Sequence, residues 1–232
     1  MLECIEFNPK EGVEPIGSVI WLHGLGASGD DFTPVVPHMQ LPDVRFIFPH
    51  APVRPITIFE GDAVRAWYDI TTLGESSERE SMADIMISAR LIEQLIDREI
   101  ERGIPSKNIV LMGFSQGAAM ALHVGHRFHK PLMAVLILSG YMLKPTLFEK
   151  EMHEANRFTP YHFYHGIRDL TVLHRRGDES CTMNAGMHRF TYWKEFSMGH
   201  EVCLEEIRQI RFLLHEKFQD RRELKNAANP KG

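Results

Sequence analysis

The run Ile109-Val110-Leu111-Met112-Gly113-Phe114-Ser115-Gln116-Gly117, continued by Ala118-Ala119-Met120-Ala121-Leu122-His123-Val124, decides the fold. Its first four residues are continuously apolar, as a strand covered on both faces must be, and the Ala-rich run after Gly117 reads as a helix. Between them Gly-x-Ser-x-Gly stands where a nucleophile elbow belongs, a strand-to-helix turn so tight that the serine takes a strained backbone. Small residues two before and two after the serine leave room for the neighbouring strand and helix, and Gly113 and Gly117 meet that need.

Outward from this turn, Ser18 to Leu22, Val44 to Phe48, Asn108 to Met112, Ala134 to Leu138, Tyr161 to Tyr164 and Arg189 to Phe196 read as strands, most of them continuously apolar. Longer helical patterns separate them, so the expected fold class is α/β, a doubly wound, mostly parallel sheet with helices on both faces. Met82, Ile85, Ala89, Ile92 and Ile96 recur at steps of three and four, with Ser77 and Glu80 spaced as a capping box and Gly103 and Pro105 closing the helix. A last helix from about Glu201 to Phe218 aligns Cys203, Ile207, Ile210, Leu214 and Phe218. Residues 1–220 are expected to form one domain, and 221–232 a polar, flexible tail. The segment from Ala51 to Ser77 breaks the rhythm: it carries Pro52, Pro55, Ile56, Ile58, Phe59, Trp67 and Leu73 without a clear period, and is expected either to face substrate or to be a plain structural excursion.

Composition narrows the function. The chain has 232 residues, 44% of them hydrophobic, enough for one large core. A net charge of −5, from 26 basic and 31 acidic residues mixed along the chain, supplies no basic stripe and argues against a nucleic-acid partner. Cys4, Cys181 and Cys203 are odd in number and widely spaced, fitting neither a disulfide framework nor a zinc site and favouring a reducing compartment. The longest apolar stretch, Leu132 to Leu138, is too short to span a bilayer, and Glu3 and Glu6 stand where a signal peptide needs basic residues. A cytoplasmic protein without stable membrane insertion is the expectation.

A serine needs a base, and in a fold of this kind it comes from a histidine late in the chain. His200, in Ser197-Met198-Gly199-His200, lies between the last strand and the last helix, at the sheet edge where Ser115 is expected. His174, His188 and His215 read as solvated or structural. The acid that orients the imidazole belongs on another loop at that edge, and Asp169, after the strand and the turn His165-Gly166, fits better than Asp178 or Glu179. His23-Gly24-Leu25-Gly26 follows the strand Val19 to Leu22 and can aim the Leu25 N–H at a developing oxyanion, with the Gln116 N–H as second donor. His123, His126 and His129 lie three apart with no carboxylate or cysteine to complete a ligand set, so they read as polar or cationic residues near a helix C-terminus, and no metal is expected.

His23-Gly24-Leu25-Gly26 with Gly29, Asp30 and Phe32, then Phe48-Pro49-His50-Ala51-Pro52, Ala66-Trp67-Tyr68-Asp69-Ile70, the Ser115 turn, Leu138-Ser139-Gly140, His165-Gly166, Asp169 and Met198-Gly199-His200-Glu201-Val202 resemble, in order, the phospholipase/carboxylesterase family of the α/β-hydrolase fold. That family includes bacterial carboxylesterases and acyl-protein thioesterases. The resemblance implies a serine esterase that cleaves carboxylic ester or thioester bonds of small-molecule or lipid acyl substrates, without cofactor or metal, and several members form homodimers. It implies Ser115, Asp169 and His200 as the triad, and Leu25 and Gln116 as oxyanion donors. It also implies an acyl groove bordered by the loop after the Trp67 motif, for which Ile58, Phe59, Trp67 and Leu73 are the candidates. Leu170-Thr171-Val172-Leu173 departs from the family's Pro-Val-Val-Pro-like run, and Ala118 replaces a frequent glycine. A peptidase would need a gating domain for which there is no room, and a catalytically silent binding protein is the alternative from another class.

Overall fold

The computed structural model describes residues 1–72, 79–188 and 190–228. Among these residues nine strands and six α-helices follow in chain order: β1 (Cys4–Phe7), β2 (Gly17–Leu22), α1 (Val36–Met39), β3 (Val44–Pro49), β4 (Val53–Pro55), β5 (Ala63–Arg65), α2 (Met82–Glu101), β6 (Ile109–Phe114), α3 (Gln116–Arg127), β7 (Ala134–Leu138), α4 (Pro145–Glu151), β8 (Tyr161–Gly166), α5 (His174–Met187), β9 (Thr191–Phe196) and α6 (Leu204–Ala228). Seven strands form one sheet in the order β1-β3-β2-β6-β7-β8-β9, parallel except for β1, which pairs antiparallel with β3. β2, β3, β7 and β8 are buried along their whole length because helices cover both faces. Two apolar clusters result: one gathers Ile92 and Ile96 of α2 and the buried residues of α3, the other gathers Ile210, Leu214 and Phe218 of α6 with Val19, Trp21 and Met112 of the sheet.

The expected strands all form, as does the helix after the elbow, and β1 is an addition. Its four residues, Cys-Ile-Glu-Phe, are too few to display a period. The capping box expected from Ser77 and Glu80 is corrected. Helix α2 begins at Met82, and Ser81 is its N-cap, its side chain accepting from the Asp84 N–H, while Ser77 lies outside the described residues. Glu80 is instead in extended backbone bridged to Ile70, with its carboxylate buried between Arg79 at 2.8 Å and Arg176 at 2.9 Å.

Where the sequence suggests a polar tail from residue 221, helix α6 continues to Ala228. Arg222 sits one turn beyond Phe218 and donates twice to Asp43, at 2.7 and 2.8 Å, which pins the extra turns to the loop before β3. Residues 229–232 lie outside the described residues.

The polar stretch after Asp169 folds into α5 although it has no apolar stripe. Its buried positions, Gly177, Ser180, Cys181 and Asn184, keep the helical spacing with small and polar side chains. These are satisfied: the Met142 N–H donates to Ser180 Oγ at 2.9 Å, and Asn184 bonds His126 at 2.8 Å and Thr191 at 2.7 Å.

Candidate active site

The elbow's sequence dictates its geometry. Ser115 has φ 54° and ψ −119°, a left-handed conformation that costs an L-residue on the order of 1–3 kcal/mol and is held by the strand before it and the helix after it. A Cβ at Gly113 would come within 2.4 Å of the Gly117 backbone, and one at Gly117 within 2.4 Å of the His23 carbonyl oxygen. Neither position tolerates a side chain, which is why the pattern requires both glycines.

Three loops at the carboxyl ends of β6, β8 and β9 bring Ser115, Asp169 and His200 together. His200 Nε2 lies 2.8 Å from Ser115 Oγ and His200 Nδ1 lies 2.7 Å from Asp169 Oδ2. Because a carboxylate only accepts, Nδ1 carries the ring proton, which leaves Nε2 to accept from the serine hydroxyl. Asp169 Oδ1 receives the Thr171 and Val172 N–H groups, both at 2.9 Å. Burial pushes the Asp169 carboxyl up, but the His200 bond and charge and these two backbone donors outweigh it and hold it below the usual carboxylate value. His165, beneath this loop, donates from Nε2 to the Val172 carbonyl at 2.9 Å and also lies 3.5 Å from Asp169 Oδ2.

The turn after β2 is fixed by its own histidine. Ala51 N–H donates to His23 Nε2 at 3.0 Å, so Nδ1 carries the proton and donates to the Gly24 carbonyl at 2.7 Å. Burial lowers the His23 pKa, in keeping with a neutral ring. The Gly24 backbone packs so closely that a Cβ there would lie 3.4 Å from that of Ser115. Leu25 and Gln116 both line the cavity at the serine, and Gln116 is the first residue of α3, where helix N–H groups have no partner within the helix and the dipole is positive.

That cavity measures about 550 Å³. Its apolar wall comes from Leu25, Phe32, Ile58, Phe59, Ile70, Phe114, Tyr141 and Val172, and Ser115, Gln116 and His200 open onto it. Ile58 and Phe59 therefore face the space expected of them. Trp67 does not: it is fully buried, packs in the α2–α3 core and donates from Nε1 to the His23 carbonyl at 2.8 Å, so it supports the site from behind instead of lining the cavity. Ile56 is buried as well. Leu73 lies outside the described residues.

One functional side chain escaped sequence reasoning. The Gln116 amide accepts the Trp67 N–H at 2.7 Å and donates to the Tyr68 carbonyl at 2.8 Å, clamping residues from the irregular segment onto the elbow. The remaining histidines stand apart. His174 bonds Glu195 at 2.8 Å, His215 bonds the Met39 carbonyl at 2.9 Å, and His188 is buried against His126 at 2.8 Å. His123 and His126 are also buried, and burial lowers the His123 pKa to about 3 and that of His126 well below its usual value, so these two are neutral core residues and not cations at a helix end. Asp178 and Glu179, the rival acids, lie within α5, with Glu179 beside Arg175 at 3.7 Å.

Comparison with known proteins identifies the family. The sequence model described as phospholipase/carboxylesterase matches residues 9–216. The chain is 36% identical over 213 residues to acyl-protein thioesterase 1 of Neurospora crassa, covering 86% of each chain. It is 29% identical to lysophospholipase-like protein 1 of Mus musculus, covering 88% of this chain and 89% of that one. The crystal structure of acyl-protein thioesterase 2 from Zea mays superposes with a TM-score of 0.80 at 25% identity, covering 94% of this chain and 99% of that one.

Proposed function

The chain belongs to the phospholipase/carboxylesterase family, and from that premise we propose that it is a serine esterase that hydrolyses acyl esters or thioesters through an acyl-enzyme on Ser115. In this reading Ser115 Oγ attacks the acyl carbonyl carbon while His200 Nε2 takes the hydroxyl proton. Asp169 stays ionised and stabilises the imidazolium. The carbonyl oxygen becomes an oxyanion that receives the Leu25 and Gln116 N–H groups. His200 then gives its proton to the departing alkoxide or thiolate, which leaves as alcohol or thiol. In the second half, water gives a proton to His200 and its oxygen attacks the acyl-enzyme. The carboxylic acid departs and Ser115 recovers its proton.

The observation that carries this reading is the His200 ring bridging Ser115 and Asp169, with both hydrogen bonds under 3 Å at the mouth of an apolar cavity. The apolar wall suits a hydrocarbon acyl chain, and each buried methylene adds up to about 0.8 kcal/mol, roughly a factor of four in specificity. The acyl-protein thioesterase relatives extend the proposed substrates to thioesters and lipid-derived acyl groups, and the free thiols of Cys4, Cys181 and Cys203 support a cytoplasmic location as part of the proposal. Labelling with a fluorophosphonate probe tests it: wild type labels and Ser115→Ala does not, while turnover of an activated acetate ester falls by several orders of magnitude. A folded Ser115→Ala variant with near-wild-type turnover overturns the assignment.

A further inference from the structure

We propose that Asp69 is a positioning residue that sets acyl-chain selectivity by holding the turn of Ile58 and Phe59 against the catalytic cavity, an inference that rests on the esterase reading of that cavity. The turn is the tip of a two-stranded hairpin, β4 and β5, which lies apart from the main sheet. Such a hairpin is marginally stable by itself. Its tip, Thr57 to Phe59, is a single 3₁₀ turn followed by Glu60 at φ 56° and Gly61 at φ 91°. Phe59 is 41% exposed, so burial does little to fix it.

Backbone hydrogen bonds within the turn set its shape, among them those from the Phe59 and Gly61 N–H groups to the Ile56 carbonyl, both at 3.0 Å, and one carboxylate ties it to the body of the protein. Asp69 Oδ1 receives the Thr57 N–H at 2.7 Å, and Oδ2 receives the Thr57 hydroxyl at 2.6 Å. The next residue, Ile70, lines the cavity itself and accepts the Ile58 N–H on its carbonyl at 3.2 Å. Asp69 is in turn anchored on both sides. Its N–H donates to Asp84 Oδ2 at 3.1 Å and its carbonyl receives the Ser81 N–H at 3.0 Å, at the start of α2. The two residues before it are clamped by the Gln116 amide. The path from the elbow to the cavity wall therefore runs from Gln116 to Trp67 and Tyr68, on to Asp69, then to Thr57 and Ile58. Asp69 is the link in that path that bonds the turn through its side chain, and like Trp67 and Tyr68 it stands outside the cavity lining, so changing it displaces the wall and leaves Ser115, Asp169 and His200 in place.

The measured quantity is the ratio of kcat/KM for p-nitrophenyl octanoate to that for p-nitrophenyl acetate, with a thermal melt of each variant. Asp69→Ala lowers the ratio about tenfold, between the worth of one and two buried methylenes, mainly through KM of the octanoate ester. Thr57→Val, which removes only the hydroxyl bond, lowers it roughly two- to fourfold. Asp69→Asn, whose amide accepts the Thr57 N–H and donates to its hydroxyl, stays within about twofold of wild type. A ratio unmoved in Asp69→Ala and Thr57→Val, with lowered melting temperature, overturns the proposal by showing that the carboxylate serves stability alone. If Asp69→Ala does not fold, the ratio in Thr57→Val decides. A wild-type chain that turns over neither ester overturns the esterase reading and this proposal together, whereas turnover of both with an unmoved ratio overturns this proposal only.

Discussion

Ser115, Asp169 and His200 are far apart in sequence and each is held differently: the serine by the strand and helix that flank its strained turn, the aspartate by two backbone donors, the histidine by the other two. His200→Ala therefore abolishes ester hydrolysis, while His174→Ala, which loses an exposed bond to Glu195 and edge contacts with His165 and Trp193, largely retains it. His188→Ala separates stability from chemistry: it strips His126 of a buried partner and lowers the melting temperature, and the rate per folded molecule stays near wild type. Rates of the three variants at saturating ester beside their melts check this set. The meeting of these three residues was readable because each follows a recognisable strand and the Ser, Asp, His order is distinctive. The Gln116 clamp and the burial of Trp67 were not, because the hydrogen bond joining them spans 49 positions and neither residue sits in a periodic stretch. An aromatic in an irregular segment looks the same in sequence whether it lines a cavity or props one up.

Among the elements, those built on apolar periodicity were legible and those built on packing of small or polar groups were not. Strands β2, β6 and β7 announce themselves as apolar runs, and β3 and β8 nearly do, interrupted by Arg45 and by His162 and His165, while α5 hides because Gly177, Ser180, Cys181 and Asn184 carry its inner face. At Gly177 the reason is direct, since a Cβ there would come within 2.3 Å of the His165 ring. The start of α2 was misplaced because Ser77 and Ser81 both satisfy a capping pattern, and the tertiary contacts of Glu80, its bridge to Ile70 and its ion pair with Arg176, select the second. The elbow yields a sharper expectation. Gly117→Ala drives a methyl into the Leu22 and His23 carbonyls, which belong to backbone that cannot swing aside. Overpacking of this kind costs about 1–3 kcal/mol or more, and denaturant melts should show it as a lowered midpoint with unchanged slope. A midpoint equal to wild type would mean that β2 and α3 are farther apart than described.

At the scale of the whole molecule, stability and charge meet on α6. Glu206, in its first turn, is buried, and burial pushes its carboxyl up to about 8, with the Cys203 backbone N–H offsetting part of the rise. A carboxyl raised in the folded state binds more protons there than in the unfolded chain, so its burden on stability is absent below its unfolded value near 4.5 and grows as pH rises toward 8. Glu206→Gln should therefore raise the melting temperature more at pH 8 than at pH 5 relative to wild type, and an equal change at both would contradict the protonated state. At the far end of the helix, Arg222→Ala breaks the pairing with Asp43 and should cost about 1 kcal/mol, seen as a small fall in melting temperature with hydrolysis intact. The sheet order also separates the triad in robustness. β6, which leads to Ser115, is bonded on both sides, whereas β9, which leads to His200, is bonded among the described residues only to β8. An outermost strand can detach while the interior of a sheet stays paired. In amide hydrogen–deuterium exchange, Thr191–Phe196 should lose protection in milder denaturant than Ile109–Phe114, so catalysis would fade while most of the backbone still resists exchange.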